Sequence, residues 1–420
     1  MRPKQADDMS PYRIRTIHPL TCLTSAFLLA ACGDSGPGGS GSASETEGIG
    51  SASASQSDTD TDTDSSANSG PGSNTQGETA DGSTGNEFNC GEVEVQLEAA
   101  PGRVMLVLDK SGSMVAPQNN WDHDDDPETP DVTRWFSLHA VVDDITSNFD
   151  TTIDFGMLLY PSLAATGDYN ANACLVENQP EVPIGPGNAQ AIMNILPPAN
   201  ATTAIRGGTP SRRAVEVALD HLRTFDVAIP RVILYVTDGE ANCNPDTNVG
   251  TEMFEEYDDV VHAIVESAWV DESIPTYVVG IAIRDELLPT ASNGTPNNIN
   301  PHEKLNELAE QGGRPRDGAT KYYRTDNQLD LQAALDEIAA EQVSCVVKLD
   351  PPPDHPEYVE VDINGEDIAR VSDCATEDGW VFHEPNENGV YTHIEFCGAA
   401  CEQLLAAGGI DATYGCPPPM

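Results

Sequence analysis

The chain has 420 residues and carries 69 acidic against 20 basic side chains, a formal net charge of −49. From residue 90 onward 57 acidic and 16 basic residues remain, so that part alone stands at −41. Such a surface repels phosphate backbones and anionic headgroups, which excludes nucleic acid as a partner, and the length allows one large core with a smaller module beside it.

At the N-terminus, Arg13 and Arg15 precede an apolar run from Ile17 to Ala31 that closes in Leu29-Ala30-Ala31-Cys32. A positive flank, a short apolar stretch and small residues at a cut describe an export signal. Asp7 and Asp8 are unusual in such a flank, so either Met1 or Met9 is the start. His18 and Pro19 interrupt the run, which leaves it too short to span a bilayer comfortably. Its ending resembles the bacterial lipoprotein box. That resemblance implies a signal peptide over residues 1–31, Cys32 as the lipid-attachment residue, and a mature protein anchored by lipid in the bacterial cell envelope, at the outer membrane and cell surface or facing the periplasm. The other reading is an ordinary cleaved signal with a coincidental cysteine.

Residues 32–89 form a Gly, Ser, Thr and Asp-rich stretch whose ten acids face no Lys or Arg. It cannot build a core and reads as a disordered tether, with a reach of roughly 40 Å. From Arg103 strands and helices alternate. Strands are expected over 103–108, 152–160, 231–237, 276–283 and 320–325, with a short edge strand near 174–184. Helices are expected over 132–149, 188–196, 210–225, 254–269, 301–311 and 327–342, where apolar residues recur at helical spacing. Asp326 is the expected cap of the last. Alternation of this kind implies a mostly parallel sheet covered on both faces.

Residues 115–131 interrupt the pattern with an acidic loop, Asp122-His123-Asp124-Asp125-Asp126. The alternating acids lack the glycine and glutamate spacing of a calcium-binding EF-hand, and a solvated loop is expected, with a second cation site as the alternative. Beyond residue 345 the composition changes. Tyr358 to Gly365, Trp380 to Phe382 and Val390 to Phe396 read as strands, the first ending in an Asn-Gly hairpin turn. Residues 346–420 are therefore expected to be a small, cysteine-rich β module.

The chemistry lies at the ends of two apolar runs. Arg103 to Leu108 stops at Asp109-Lys110-Ser111-Gly112-Ser113, and Arg231 to Val236 stops at Thr237-Asp238-Gly239. A third segment, Gly207-Gly208-Thr209-Pro210, lies between them. In open parallel sheets ligands bind beyond the carboxyl ends of the strands. The bland alternative is that the hydroxyl residues simply cap helices. Asp-x-Ser-x-Ser with a distant Thr and a distant Asp is similar to the metal-ion-dependent adhesion site of the von Willebrand factor A family, a resemblance that covers roughly residues 100–342 and implies a domain of that type over residues 90–345. The resemblance implies a doubly wound, Rossmann-like α/β sheet with helices on both faces. It also implies a metal site made by Asp109, Ser111, Ser113, Thr209 and Asp238. Ser111, Ser113 and Thr209 would supply hydroxyl oxygens, and the two acids would act through water or by bonding the hydroxyls. Mg²⁺ is expected there, or Mn²⁺ or Ca²⁺, all of which accept oxygen ligands. One coordination position stays open for an Asp or Glu carboxylate of a protein or other extracellular macromolecule. Gly207 and Gly208 would let their loop approach the ion.

Of ten cysteines, Cys22 leaves with the signal and Cys32 takes the lipid, so eight remain. An even number in an exported chain reads as disulfides, in any of 105 pairings. Because the ends of such a domain lie close together, Cys90–Cys345 is the expected clasp. Cys174–Cys243 is expected within the domain, and Cys374–Cys397 with Cys401–Cys416 in the tail. No Cys-x-x-Cys pair supports a thiolate metal site.

Enzyme signals are weak. His302-Glu303-Lys304-Leu305-Asn306 has Asn where a zinc-protease helix needs its second His, and no nucleophile elbow or nucleotide-binding fingerprint is present. Hydroxyl ligands are poorly suited to activate water. The expectation is a membrane-anchored binding protein for adhesion or assembly, not an enzyme. The alternatives are a structural or sensory envelope protein with an unused metal site, or a metal-dependent hydrolase.

Overall fold

The computed structural model describes residues 93–417 apart from 125, 248 and 249. The export signal, Cys32, the tether and Cys90 lie outside the described residues. Strand β1 (Val93–Glu98) leads into β2 (Gly102–Asp109), followed by α1 (Arg134–Phe149), β3 (Ile153–Tyr160), β4 (Val182–Gly185) and α2 (Ala189–Ile195). Then come α3 (Ser211–Leu222), β5 (Arg231–Thr237), α4 (Glu252–Glu255), α5 (Val260–Glu272) and β6 (Thr276–Ile281). Helix α6 (Pro301–Gln311), β7 (Tyr323–Thr325) and α7 (Gln328–Glu341) complete the large core.

Its sheet has the order β4-β3-β2-β5-β6-β7. β2, β3, β5, β6 and β7 are parallel, and only the edge strand β4 runs antiparallel to its neighbour. This is the expected doubly wound α/β fold. Alternate residues of β2 divide between the two faces. Val104, Leu106 and Leu108 pack with Trp135, Leu138 and Leu335 of α1 and α7, while Met105 and Val107 pack with Ala214, Val265 and Leu308 of α3, α5 and α6. Burial on both sides explains why the central strands read as unbroken apolar runs. The chain leaves β2 toward β3 on one side and returns to β5 on the other, so strand order reverses between β2 and β5.

Two boundaries differ from expectation inside this core. The helix expected over 254–269 is broken between α4 and α5, because the Asp258 amide turns back to the Ala241 carbonyl at 3.1 Å and its side chain is buried near Arg212. The cap of α7 is Asn327, whose side chain accepts from the Asp330 amide. Asp326 instead meets Arg324 at 3.1 Å.

The remaining elements are β8 (Val346–Lys348), β9 (Val359–Ile363), β10 (Glu366–Ile368), β11 (Gly379–Phe382), β12 (His393–Cys397), α8 (Ala399–Ala407) and β13 (Gly409–Tyr414). They form two small sheets, β1-β13-β9-β10 and β11-β12-β8. Asn364-Gly365 turns the β9–β10 hairpin, with positive φ at both residues. β1 falls within the span expected for the large domain, but it pairs along its whole length with β13 and puts Leu97 into the module core. The large domain is thus inserted between β1 and β8, and its two ends meet where the Ala100 amide donates to the Val346 carbonyl at 2.7 Å.

Cys174 is bonded to Cys243, Cys374 to Cys397 and Cys345 to Cys401. The last bond excludes both Cys90–Cys345 and Cys401–Cys416. The ends of the domain do lie together, as the expected clasp supposed, but backbone pairing joins them, and this leaves Cys345 facing α8. Cys416 is also disulfide-bonded. Among the described residues no helix is long and apolar enough to cross a membrane.

Candidate metal centre

Asp109 closes β2 and Thr237-Asp238 closes β5, the two strands that flank the reversal of strand order. The turn after β2 brings Ser111 and Ser113 back over the strand end. Their hydroxyl oxygens are 2.8 Å apart, and Ser113 Oγ donates to Asp238 Oδ1 at 2.7 Å. Asp109 lies beneath, with no exposure. Its Oδ1 accepts from the Ser111 amide at 2.8 Å and its Oδ2 from the Thr237 hydroxyl at 2.7 Å. Ser111 makes no helix-capping bond with its side chain, and the residue that caps α3 is Pro210. Capping therefore does not account for these hydroxyls.

Thr209 lines the same cleft of about 930 Å³ as Ser111, Ser113 and Asp238. Its backbone is held on both sides by Asn242: the Thr209 amide donates to Asn242 Oδ1 at 2.6 Å, and its carbonyl accepts from the Asn242 amide at 3.1 Å. All five expected site residues are thus brought to one place. The glycines before Thr209 are required by close packing behind the loop. A Cβ on Gly207 would stand 2.6 Å from the Ala173 carbonyl oxygen, and one on Gly208 would stand 2.6 Å from Cys243 Sγ and 2.9 Å from Phe254 Cε1. They admit the wall behind the loop, which the Cys174–Cys243 bond staples.

Four contributors escaped the sequence reading. Arg134, the first residue of α1, reaches Asp238 Oδ2 at 2.9 Å, with the Asp238 side chain fully buried and that of Arg134 11% exposed. A cation in the first turn opposes the helix dipole, so this arginine is placed for Asp238 and not for its helix. Its signal was its isolation: it is the only Lys or Arg between Lys110 and Arg206. Lys110 is fully buried and donates to the carbonyls of Ala204 (3.0 Å) and Arg206 (3.3 Å), which ties the Thr209 loop to the Asp109 loop. Burial pulls its ammonium down to about 8. Thr237 and Asn242 are the other two, and nothing in their spacing sets them apart.

Burial pushes the Asp109 carboxyl up to about 7, and the nearby charge of Asp238 adds to the rise. Asp238 is paired with Arg134, while Asp109 beneath it meets the Ser111 amide and the Thr237 hydroxyl and no arginine. The oxygens gathered there are hydroxyl and carboxylate, a donor set for hard cations and not for thiophilic ones. On that ground the residues fit a divalent ion such as Mg²⁺, held by Ser111, Ser113 and Thr209 with the acids behind. That ion would supply Lewis acidity toward one further oxygen ligand.

The acidic loop stands apart from this arrangement. Asp122, His123 and Asp124 approach one another, and the carboxylates of Asp122, Asp124 and Asp126 each accept a backbone amide two residues on. The cleft itself takes Ala116, Gln118 and Asn119 from that segment. His302 is satisfied structurally by Tyr322 and Asn306.

Fold and site together define a doubly wound α/β domain with an oxygen-lined cleft, suited to a hard cation, at its topological switch point. No protein-family model and no curated relative matches the chain. Among solved structures, it is similar to the pilus adhesin SpaC from Lactobacillus rhamnosus GG at 12% identity, over 77% of this chain and 40% of that one, with a TM-score of 0.40. It is similar to a von Willebrand factor type A protein from Catenulispora acidiphila at 14% identity (78% and 62% covered, TM-score 0.37). It is also similar to manganese-loaded TRAP protein of Plasmodium vivax at 14% identity (59% and 77% covered, TM-score 0.36). The chain spans less than two thirds of the length of most of these structures.

Proposed function

We propose that this is a von Willebrand factor A-type protein of the bacterial envelope, lipid-anchored through Cys32. In this reading it binds a macromolecular partner through a divalent cation that the partner completes with an Asp or Glu carboxylate. The observation that carries the reading is the continuous set of oxygens from Ser111 through Ser113 to Asp238, bridging the ends of β2 and β5 above a buried Asp109. Uncharged hydroxyls as the direct ligands leave the ion electron-poor and therefore receptive to an incoming carboxylate. The same feature disfavours hydrolysis, since hydroxyl ligands are not arranged to take a proton from a water on the ion.

The test is thermal unfolding in EDTA and in Mg²⁺, Mn²⁺ or Ca²⁺. Binding to the native state alone stabilises by about 2.7 kcal/mol at a hundredfold excess over Kd, so the melting temperature should rise with metal in the wild type and not in Asp109→Ala. Identical melts in EDTA and in all three metals would leave only a tethered envelope protein with an unused site.

A further inference from the structure

Arg206 lies three residues before Thr209 and lines the same cleft. Its side chain is exposed, yet held in place. Nε donates to the Ala165 carbonyl at 3.1 Å, and the stem lies over Gly167, where an added Cβ would be 3.9 Å from Arg206 Cδ. Lys110 fixes the backbone beneath it. The other two arginines of the cleft are matched by acids: Arg134 meets Asp238 at 2.9 Å, and Arg284 lies 3.8 Å from Glu240 and 3.9 Å from Glu286. Among the described residues no carboxylate lies within ion-pair distance of Arg206. In a chain where acids so outnumber bases, a positioned guanidinium without an acid is unexpected.

The charges around the centre point the same way. Asp238 is matched by Arg134 and Asp109 by the neighbouring buried ammonium of Lys110, so a divalent ion and Arg206 both add positive charge that these acids do not offset. One carboxylate on the ion leaves a full positive charge at Arg206. Tyr169, 47% exposed, and Leu287, 69% exposed, add apolar surface to the cleft, which Asp168, Glu240 and Glu286 also line. We infer that Arg206 is a second anchor of the cleft, and that the partner segment is an acidic peptide with two carboxylates, one completing the cation and one paired with Arg206. Guanidinium–carboxylate pairs are strong and directional when both groups are pre-positioned. This rests on the cation reading above.

The experiment uses the full chain in Mn²⁺ with two labelled probes: hexaglutamate, and a Gly/Ser hexapeptide carrying a single Glu. Fluorescence anisotropy gives each affinity for the wild type, Arg206→Gln and Arg206→Lys, beside melting curves with and without Mn²⁺. Arg206→Gln should weaken hexaglutamate about tenfold, leave the single-Glu peptide unchanged, and keep the full Mn²⁺-induced rise in melting temperature. Arg206→Lys should keep most of the hexaglutamate affinity. The inference is overturned, with the cation reading intact, if Mn²⁺ raises the melting temperature but neither probe binds, or if Arg206→Gln spares hexaglutamate or weakens both probes alike. A loss in Arg206→Lys equal to that in Arg206→Gln would assign Arg206 a structural role and overturn it as well. If Mn²⁺ does not stabilise even the wild type, the cation reading fails and this inference falls with it.

Discussion

Replacing Arg134 by Met tests the electrostatics of the centre without touching any oxygen proposed to hold the ion. The guanidinium is the only positive side chain within ion-pair distance of Asp238 among the described residues, and that carboxylate is fully buried. Removing one partner of a buried pair costs about 3–5 kcal/mol, because a charge is left enclosed and unpaired. Asp238 Oδ1 keeps its bond from Ser113, and the cleft beside it admits water, so the lower end applies: about 3 kcal/mol in EDTA. For a domain of this size that is a fall of roughly 6–10 °C in melting temperature. A divalent ion supplies the lost charge, and Asp238 no longer divides its interactions between ion and arginine. Mn²⁺ should therefore raise the melting temperature of Arg134→Met more than that of the wild type. Scanning calorimetry in EDTA and in Mn²⁺ measures both effects. A variant that melts with the wild type in EDTA and gains no more from Mn²⁺ would refute the reasoning that Asp238 awaits a counter-charge.

Gly208→Ala places a methyl 2.6 Å from Cys243 Sγ and 2.8 Å from Asn242 Oδ1; overpacking of about 1–3 kcal/mol should appear in urea melts together with weaker Mn²⁺ stabilisation, because Asn242 positions Thr209. Replacing Cys174 and Cys243 by Ser opens a link between residues 69 apart in sequence, a loss of up to about 4 kcal/mol by chain entropy, and calorimetry should show a smaller Mn²⁺ shift as the wall behind Gly208 loosens. Burial raises the Glu181 carboxyl to about 7 while its Oε2 accepts from the Leu159 amide. The folded state therefore favours the neutral acid, so this group's contribution is complete below its unfolded pKa near 4.5 and is lost as pH rises through 7. Glu181→Gln keeps the acceptor and should remove that decline, on the order of 2 kcal/mol between pH 4.5 and 7.5, in paired urea titrations; an unchanged slope would contradict it.

The large sheet was legible because its strands are buried on both faces, so RVMLVL and RVILYV stand out as unbroken apolar runs. The five oxygen-bearing residues were legible because they end those runs or share the loop before α3. β1 was not: in VEVQLE only Leu97 is buried, and its partner β13 lies over 300 residues away. The same insertion misdirected the cysteines, since spacing marks which ends approach but not that β1 and β8 already join them. Arg134 and Lys110 act across distances in sequence that no local pattern encodes, 104 residues to Asp238 and 94 to Ala204. The helix break at residues 256–259 is a tertiary choice, in which burial of Asp258 against the loop of Asn242 overrides continuous helical spacing.

The proposed function requires one divalent ion among the hydroxyls of Ser111, Ser113 and Thr209. Crystals of the protein grown in Mn²⁺ and measured at the manganese edge would show it directly. A single strong anomalous peak is expected within coordination distance of those three oxygens, absent in Asp109→Ala. Density confined to the acidic loop around Asp122 and Asp124, or hydroxyls still bonded to one another and to Asp238 in saturating Mn²⁺, would contradict it.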